Sequence, residues 1–392
     1  RELLTATGST YKNAPANYYR ALRDPQTRAE TTAQVFLGVR IQCARCHNHP
    51  FDQWKQDDYH SLAAFFARID YKILENNRKD RLDKHEFIGE QIVLLSKTGE
   101  VNSPRTGRPL PPRLPGARSP LPSEADRLAA LAAWVTSADN PYFARAQVNR
   151  VWYHLFGRGL VEPNDDFRAS NPPANPALLE ELARQFVKNR FDLRWLVRTI
   201  MNSRAYQLSA ITNATNAEDE SNFSHALIRP VQAEVLLDAL SQVTGAPLEF
   251  AGYRKGMRAT QLPGVQAARQ RDRRQSDSER FLFIFGKPVR SLTCECERSD
   301  ETTLTQAFQL ITGKLLNDML ARPDNRLGKL IEAKKSDAEI VEELYLSALS
   351  RQPTARESAA ALKFLGKQTD RRAALEDFLW ALVNSKEFLL RQ

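Results

Sequence analysis

Thr27-Arg-Ala-Glu-Thr-Thr-Ala-Gln-Val35-Phe36-Leu-Gly-Val39-Arg-Ile41-Gln-Cys43-Ala44-Arg45-Cys46-His47-Asn48-His49-Pro50-Phe51-Asp52 holds the main clue to the fold and half of the cysteines. From Thr27 to Cys43 there is no proline, and Val35, Phe36, Val39 and Ile41 recur at helical spacing. The pattern predicts an amphipathic helix that ends near Pro50. On such a helix Cys43, Cys46 and His47 are positions i, i+3 and i+4, so two sulfurs and one imidazole share a face. A second helix is expected after Asp57 and Asp58, with Leu62, Phe65, Phe66 and Ile69 as its buried stripe.

Outward from this stretch the period changes. Between Phe87 and Gly116, short β-prone pieces such as Ile92 to Leu95 are broken by Thr98-Gly99 and by prolines, which reads as a small hairpin and an extended linker. Ser123 and Asp126 then mark a helix start, with Leu128, Leu131 and Trp134 in period. Further helices are expected beyond Asn140-Pro141 as far as Gly157, over Pro176 to Lys188, Leu193 to Ser203, Pro230 to Val243 and Leu304 to Leu320. Three more fit Asp337 to Ser350, Thr354 to Leu365 and Arg372 to Ser385. The fold class is therefore mainly α: a helical segment over residues 1–85, the hairpin and Pro-rich linker over 86–120, and a larger helical bundle over 121–392. Asn202-Ser203 before Tyr206 and Asn384-Ser385 before Phe388 end two helices alike, without the fixed period of a repeat.

Composition sets the outer limits. A chain of 392 residues should form two or three cores. With 42% hydrophobic and 26% charged residues it is an ordinary globular chain. No apolar run approaches the roughly 20 residues of a membrane span. The net charge of +9 favours anionic partners. Its densest part, Arg269 to Arg274, is interrupted by Asp272, so a solvated loop is expected there and no nucleic acid. The polar start at Arg1 suggests a processed product or a fragment.

The four cysteines fall in two tight pairs, which is a chemical pattern rather than a packing one. Cys43-Ala-Arg-Cys46-His47 is the C-x-x-C-H pattern of c-type haem attachment: both thiols form thioethers and His47 is the ligand of the haem iron. The same donors, joined by His49, Cys294 and Cys296, could instead close a zinc site. Pro50 turns His49 off the helical face, which suits it to a hydrogen bond near the site or to a separate metal. Cys294-Glu-Cys296 is half of such a metal site, a redox pair, or two thiols without a cofactor; a disulfide across one residue is strained.

A family resemblance rests on these residues and on later ones. Phe36 to Trp54, with Asp57-Asp58-Tyr59 and Ala63-Ala64-Phe65-Phe66, resembles the end of the planctomycete cytochrome-like domain. Asn140 to Arg145, Asn149-Arg150-Val-Trp152-Tyr-His154-Leu-Phe-Gly157, Asp165-Asp166-Phe167, Cys294 to Ser299 and Thr305-Gln306-Ala307 resemble the planctomycete-specific domain that follows it. The resemblance implies an exported protein of unknown activity, with most of the first domain missing from this chain.

Function is expected to be electron transfer or haem-dependent redox chemistry in a periplasmic or otherwise exported protein, with a redox partner protein or an anionic surface as partner. His154, His225 and Met257 are candidate distal ligands, each better explained as an ordinary core or surface residue. The alternative is a non-enzymatic scaffold whose Cys and His cluster is structural. Trp152, Trp195 and Trp380 read as core residues, and Asp165-Asp166 as helix caps rather than hydrolytic acids. No phosphate-binding loop or nucleophile elbow is present.

Overall fold

A computed structural model describes residues 1–75, 89–251, 253–262, 276–288, 298 and 302–391. Arg269 to Arg274, Cys294 and Cys296 lie outside the described residues. With 48% helix and 6% strand the fold is mainly α, as the periodicity predicts. The chain forms two compact units, one made by residues 1–226 and one that begins at Leu227.

In the first unit, β1 (Gly8–Ser9) and α1 (Asn17–Ala21) lead to α2 (Pro25–Thr32). Asp24 caps α2 by accepting the Thr27 N–H at 2.8 Å, and Pro25 fills the first helical position. The helix does not run on towards Pro50. It widens into a π-helical turn at Ala33–Leu37 and stops at Gly38, where φ is 69°. A Cβ there would sit 2.8 Å from the Phe167 ring, and the Gly38 carbonyl accepts the Phe167 N–H at 2.9 Å. The stop is thus fixed by a residue far along the chain. A 3₁₀ turn, Gln42–Arg45, follows.

Next comes α3 (Gln56–Ala63), whose first turn is fixed by Asp58 accepting the Lys55 N–H at 3.0 Å. Its apolar stripe continues through a 3₁₀ turn at Ala64–Phe66, but Ile69 opens β2 (Ile69–Ile73) instead of extending the helix. The strand β3 (Gln91–Leu95) lies at the centre of the antiparallel order β1-β3-β2, with Val93 opposite both Gly8 and Tyr71. No hairpin forms across Thr98-Gly99, because β3 is taken by β2 and β1 on its two edges; the Ala67 carbonyl lies where a Cβ of Gly99 would be, at 2.4 Å. The hairpin that does form joins β4 (Val101–Asn102) to β5 (Pro109–Leu110).

Four helices complete this unit: α4 (Arg127–Val135), α5 (Phe143–Phe156), α6 (Pro176–Lys188) and α7 (Leu193–Met201). Asp126 caps α4, whereas Ser123 donates to Glu124 and plays no part in the cap. Trp152, Phe156, Leu179, Phe186, Leu196 and Ile200 form the core of the last three helices. Long polar side chains pin the rest of the unit. Arg28, 1% exposed, donates to the carbonyls of Leu22, Arg23 and Phe66 and to the Tyr71 hydroxyl, all within 2.8–3.0 Å. Arg127 donates to the Ala64 carbonyl at 2.9 Å.

The second unit is a helical bundle. Its elements are β6 (Arg229–Pro230), α8 (Ala233–Thr244), α9 (Asp277–Ile284), α10 (Leu304–Thr312), α11 (Lys314–Ala321) and α12 (Arg326–Glu332). They are followed by α13 (Asp337–Leu349), α14 (Ala355–Leu365), α15 (Arg371–Val383), α16 (Lys386–Leu389) and β7 (Leu390–Arg391). Pro230 is taken into a strand pair with Leu390, which delays the start of α8 to Ala233. The single helix expected over Leu304 to Leu320 breaks at Gly313, where ψ is 135°. Leu237, Leu240, Ile340, Val341, Leu344, Leu375 and Leu379 form the bundle core. Ser276, Thr303, Ser336 and Thr354 open four of the helices with reciprocal capping boxes. The likeness between Ser203 and Ser385 is physical: each hydroxyl accepts the backbone N–H three residues on, after an Asn that closes a helix.

Candidate functional site

Residues 42–47 carry the reactive groups. A 3₁₀ turn has three residues per turn, so side chains at i and i+3 eclipse. Cys43 and Cys46 have that spacing, and the Cys46 N–H closes the turn on the Cys43 carbonyl at 3.4 Å. Both thiols are exposed, while Ala44 between them is completely buried. The turn therefore faces the core with its alanine and solvent with its cysteines. This replaces the α-helical face expected from the sequence, and His47 lies beyond the turn in a bend. Nδ1 of His47 is 2.8 Å from the Asn48 carbonyl. A carbonyl only accepts, so Nδ1 carries the hydrogen and Nε2 is the basic nitrogen of the neutral ring.

The loop that follows is closed by its own groups. The His49 N–H donates to the Trp54 carbonyl at 2.8 Å, and the Phe51 N–H donates to His49 Nδ1 at 3.2 Å. His49 thus has the hydrogen-bonding position that Pro50 suggests. Trp54 is buried with its ring 6.0 Å from Tyr142, and Gln53 donates to the Tyr142 hydroxyl at 3.0 Å. Burial raises the Tyr142 phenol above its ordinary pKa, as it does that of Tyr59, whose hydroxyl donates to Glu30 at 2.6 Å.

Two arms hold the turn. On the upstream side, Gln34 and Arg40 both donate to the buried Asp165 carboxylate, at 2.6 Å from Gln34 Nε2 and 3.0 Å from Arg40 Nε. Asp165 is therefore a long-range anchor rather than the helix cap expected of it. Asn149 fixes the same loop from α5, donating to the carbonyls of Val161 and Asn164 and accepting the Val161 N–H. On the downstream side, Gln56 and His60 of α3 reach back to the carbonyls of Arg45 and Cys46. Sequence reading missed the anchoring roles of Gln34, Arg40, Asn149, Gln56 and His60.

The other candidates are placed elsewhere. His154 is exposed on α5, edge-on to Tyr153 at 5.5 Å. His225 places Nδ1 3.0 Å from the Ala226 carbonyl. Met257 packs against the core of the second unit. Among the described residues no three His, Cys, Asp or Glu side chains are grouped to hold a metal ion, and no helix is long and apolar enough to cross a membrane.

What fold and turn define together is a mainly helical protein with a solvent-facing C-x-x-C-H motif. Residues 126–365, more than half of the chain, match the PSD1 model, described as a protein of unknown function (DUF1553), and the chain belongs to that family. Residues 4–71, which include the turn, match the PSCyt2 model, also described as a protein of unknown function (DUF1549). No curated protein and no solved structure matches the chain.

The residues of a haem c attachment motif are thus two exposed thiols on one turn and an imidazole whose Nδ1, not Nε2, meets the Asn48 carbonyl, and Phe51 in the same loop is 63% exposed.

Proposed function

We propose that the chain is an exported c-type haem protein of electron transfer or haem-dependent redox chemistry. The observation that carries the reading is the division of labour in the turn, with Ala44 inward, Cys43 and Cys46 outward and His47 directly after them. In this reading Cys43 and Cys46 would hold the haem covalently through thioethers to its two vinyl groups. His47 would offer Nε2 to the iron, with its ring oriented by the Nδ1 contact to the Asn48 carbonyl. Bound haem would supply one-electron chemistry, with a potential set by its axial ligand and solvent exposure. The exposed turn leaves the centre open to a redox partner, and the net charge of +9 favours an anionic one. Covalent attachment suits a compartment where a dissociated cofactor would be lost.

The test is expression with export through a periplasm that attaches haem. The expected product has a Soret band that survives acid-acetone extraction and disappears when Cys43 and Cys46 are both changed to Ala. A colourless product with stoichiometric zinc would reject haem and identify a structural metal site.

A further inference from the structure

The C-terminal half of the turn has an unusual support. Its carbonyls point back at the helix that follows the loop, and two side chains of that helix meet them. Gln56 Nε2 donates to the Cys46 carbonyl at 2.8 Å and to the Arg45 carbonyl at 3.3 Å. The His60 ring nitrogen Nε2 lies 3.1 Å from the same Arg45 carbonyl and donates to it. Arg45 O thus uses both of its lone pairs on α3. The Gln56 backbone N–H adds a bond to Asn48 Oδ1 at 3.1 Å, which ties the residue after His47 to the same end of the helix. His60 is 5% exposed, stands edge-on to Tyr59 at 4.9 Å, and cannot swing away without opening the core.

We propose that Gln56 and His60 are positioning residues that preorganise the cysteine pair, so that the site exists before any cofactor reaches it. In this respect it differs from small metal sites whose folding waits for the metal. Three fixed carbonyl contacts set the backbone of Arg45 and Cys46. The Cys46 N–H bond to the Cys43 carbonyl then fixes Cys46 one turn after Cys43, and the buried Ala44 holds the turn against the core. The value of this support for thioether formation rests on the haem reading, because two additions to one rigid macrocycle need both sulfurs at a fixed spacing. The preorganisation itself does not depend on haem.

The probe is phenylarsine oxide, which binds two adjacent thiols: its As=O oxygen leaves as water with the two thiol protons while two As–S bonds form. Affinity is measured on the whole, haem-free, reduced protein. Cys46→Ser should abolish binding. Gln56→Met and His60→Phe keep bulk but remove the donors, and each should weaken binding roughly three- to tenfold, the worth of one ordinary hydrogen bond. His60→Gln, which can present an amide N–H to the Arg45 carbonyl, should recover most of the loss. Rescue separates positioning from mere bulk. Parent-like affinity in Gln56→Met and His60→Phe, with unchanged circular dichroism, would overturn the proposal. If His60→Phe does not fold, Gln56→Met alone decides, since Gln56 is only half-buried. Haem attachment is scored separately: a colourless protein that follows the arsenical pattern keeps the preorganisation and removes the haem reading, and a haem-loaded one that ignores it does the reverse.

Discussion

The first unit buries long-range polar side chains among short, irregular elements, whereas the second places its polar contacts at the ends of regular helices, by local caps and by Arg326 and Arg372, which reach carbonyls at the ends of α8 and α11. In the first, Arg28 reaches Phe66, Arg127 reaches Ala64 and Asp165 gathers Gln34 and Arg40. In the second, Ser276, Thr303, Ser336 and Thr354 each satisfy the first turn of their own helix, and the core between the helices is almost wholly aliphatic. The reason lies in element length. The first unit begins with short helices, a π turn, 3₁₀ turns and a small sheet, which leave many backbone carbonyls without a regular partner. Buried guanidinium and amide groups satisfy them. A bundle of regular helices has such groups only at its ends, where local caps serve the first turns and Arg326 and Arg372 meet the last carbonyls of α8 and α11.

The largest effect expected from this contrast is at Arg28. Arg28→Ala removes four hydrogen bonds and takes the guanidinium donor from the Arg23 and Phe66 carbonyls, while Leu22 keeps the Tyr71 hydroxyl, at a cost of about 3–5 kcal/mol. Hydrogen exchange should accelerate across residues 1–226 and change little in α13 to α15. Equal acceleration in both units would break the contrast. A smaller effect is expected in the bundle: Ser336→Ala should cost about 1 kcal/mol and raise exchange mainly in the first turn of α13. A global loss as large as that of Arg28→Ala would mean that the caps are not local.

The smallest effect is a pH dependence at the start of α14. The Arg351 guanidinium, followed by the Thr354 backbone N–H, holds the Glu357 carboxyl down at about 2 against an ordinary 4.5. A depressed folded-state pKa stabilises above the unfolded value, so this contribution is complete above about pH 4.5 and is lost as pH falls towards 2. Glu357 is one-third exposed at its side chain, and solvent screening keeps the effect modest. Protection of α14, corrected for intrinsic exchange, that changes equally between pH 6 and pH 2.5 in Glu357→Gln and parent would remove this carboxylate from the account.

Legibility in the sequence follows the same division. The span Pro176 to Lys188 was readable to the residue because Asn175, Pro176 and an apolar stripe all lie within it, and Thr354 announces α14 in the same way. Gly38, by contrast, ends its helix because Phe167 packs against it, and no local pattern carries that information. The partner of β3 precedes it by some twenty residues, so Thr98-Gly99, although a turn in composition, does not make the hairpin. At the site, the residue types and their exposure to solvent follow from the motif, and Ala44 as the inward member fits its size. The supports were not readable, since a Gln, a His and an Asp become anchors only when the fold brings carbonyls and amides to them.

Asp165 gives the turn an unequal history during synthesis. The downstream support, from Gln56 and His60, is made within about a dozen residues of Cys46, whereas the upstream one waits for a carboxylate 125 residues after Arg40. A chain ending between α3 and Asp165 would therefore carry both donors of the downstream support and lack the carboxylate of the upstream one, so the two sides of the turn are separable by length alone.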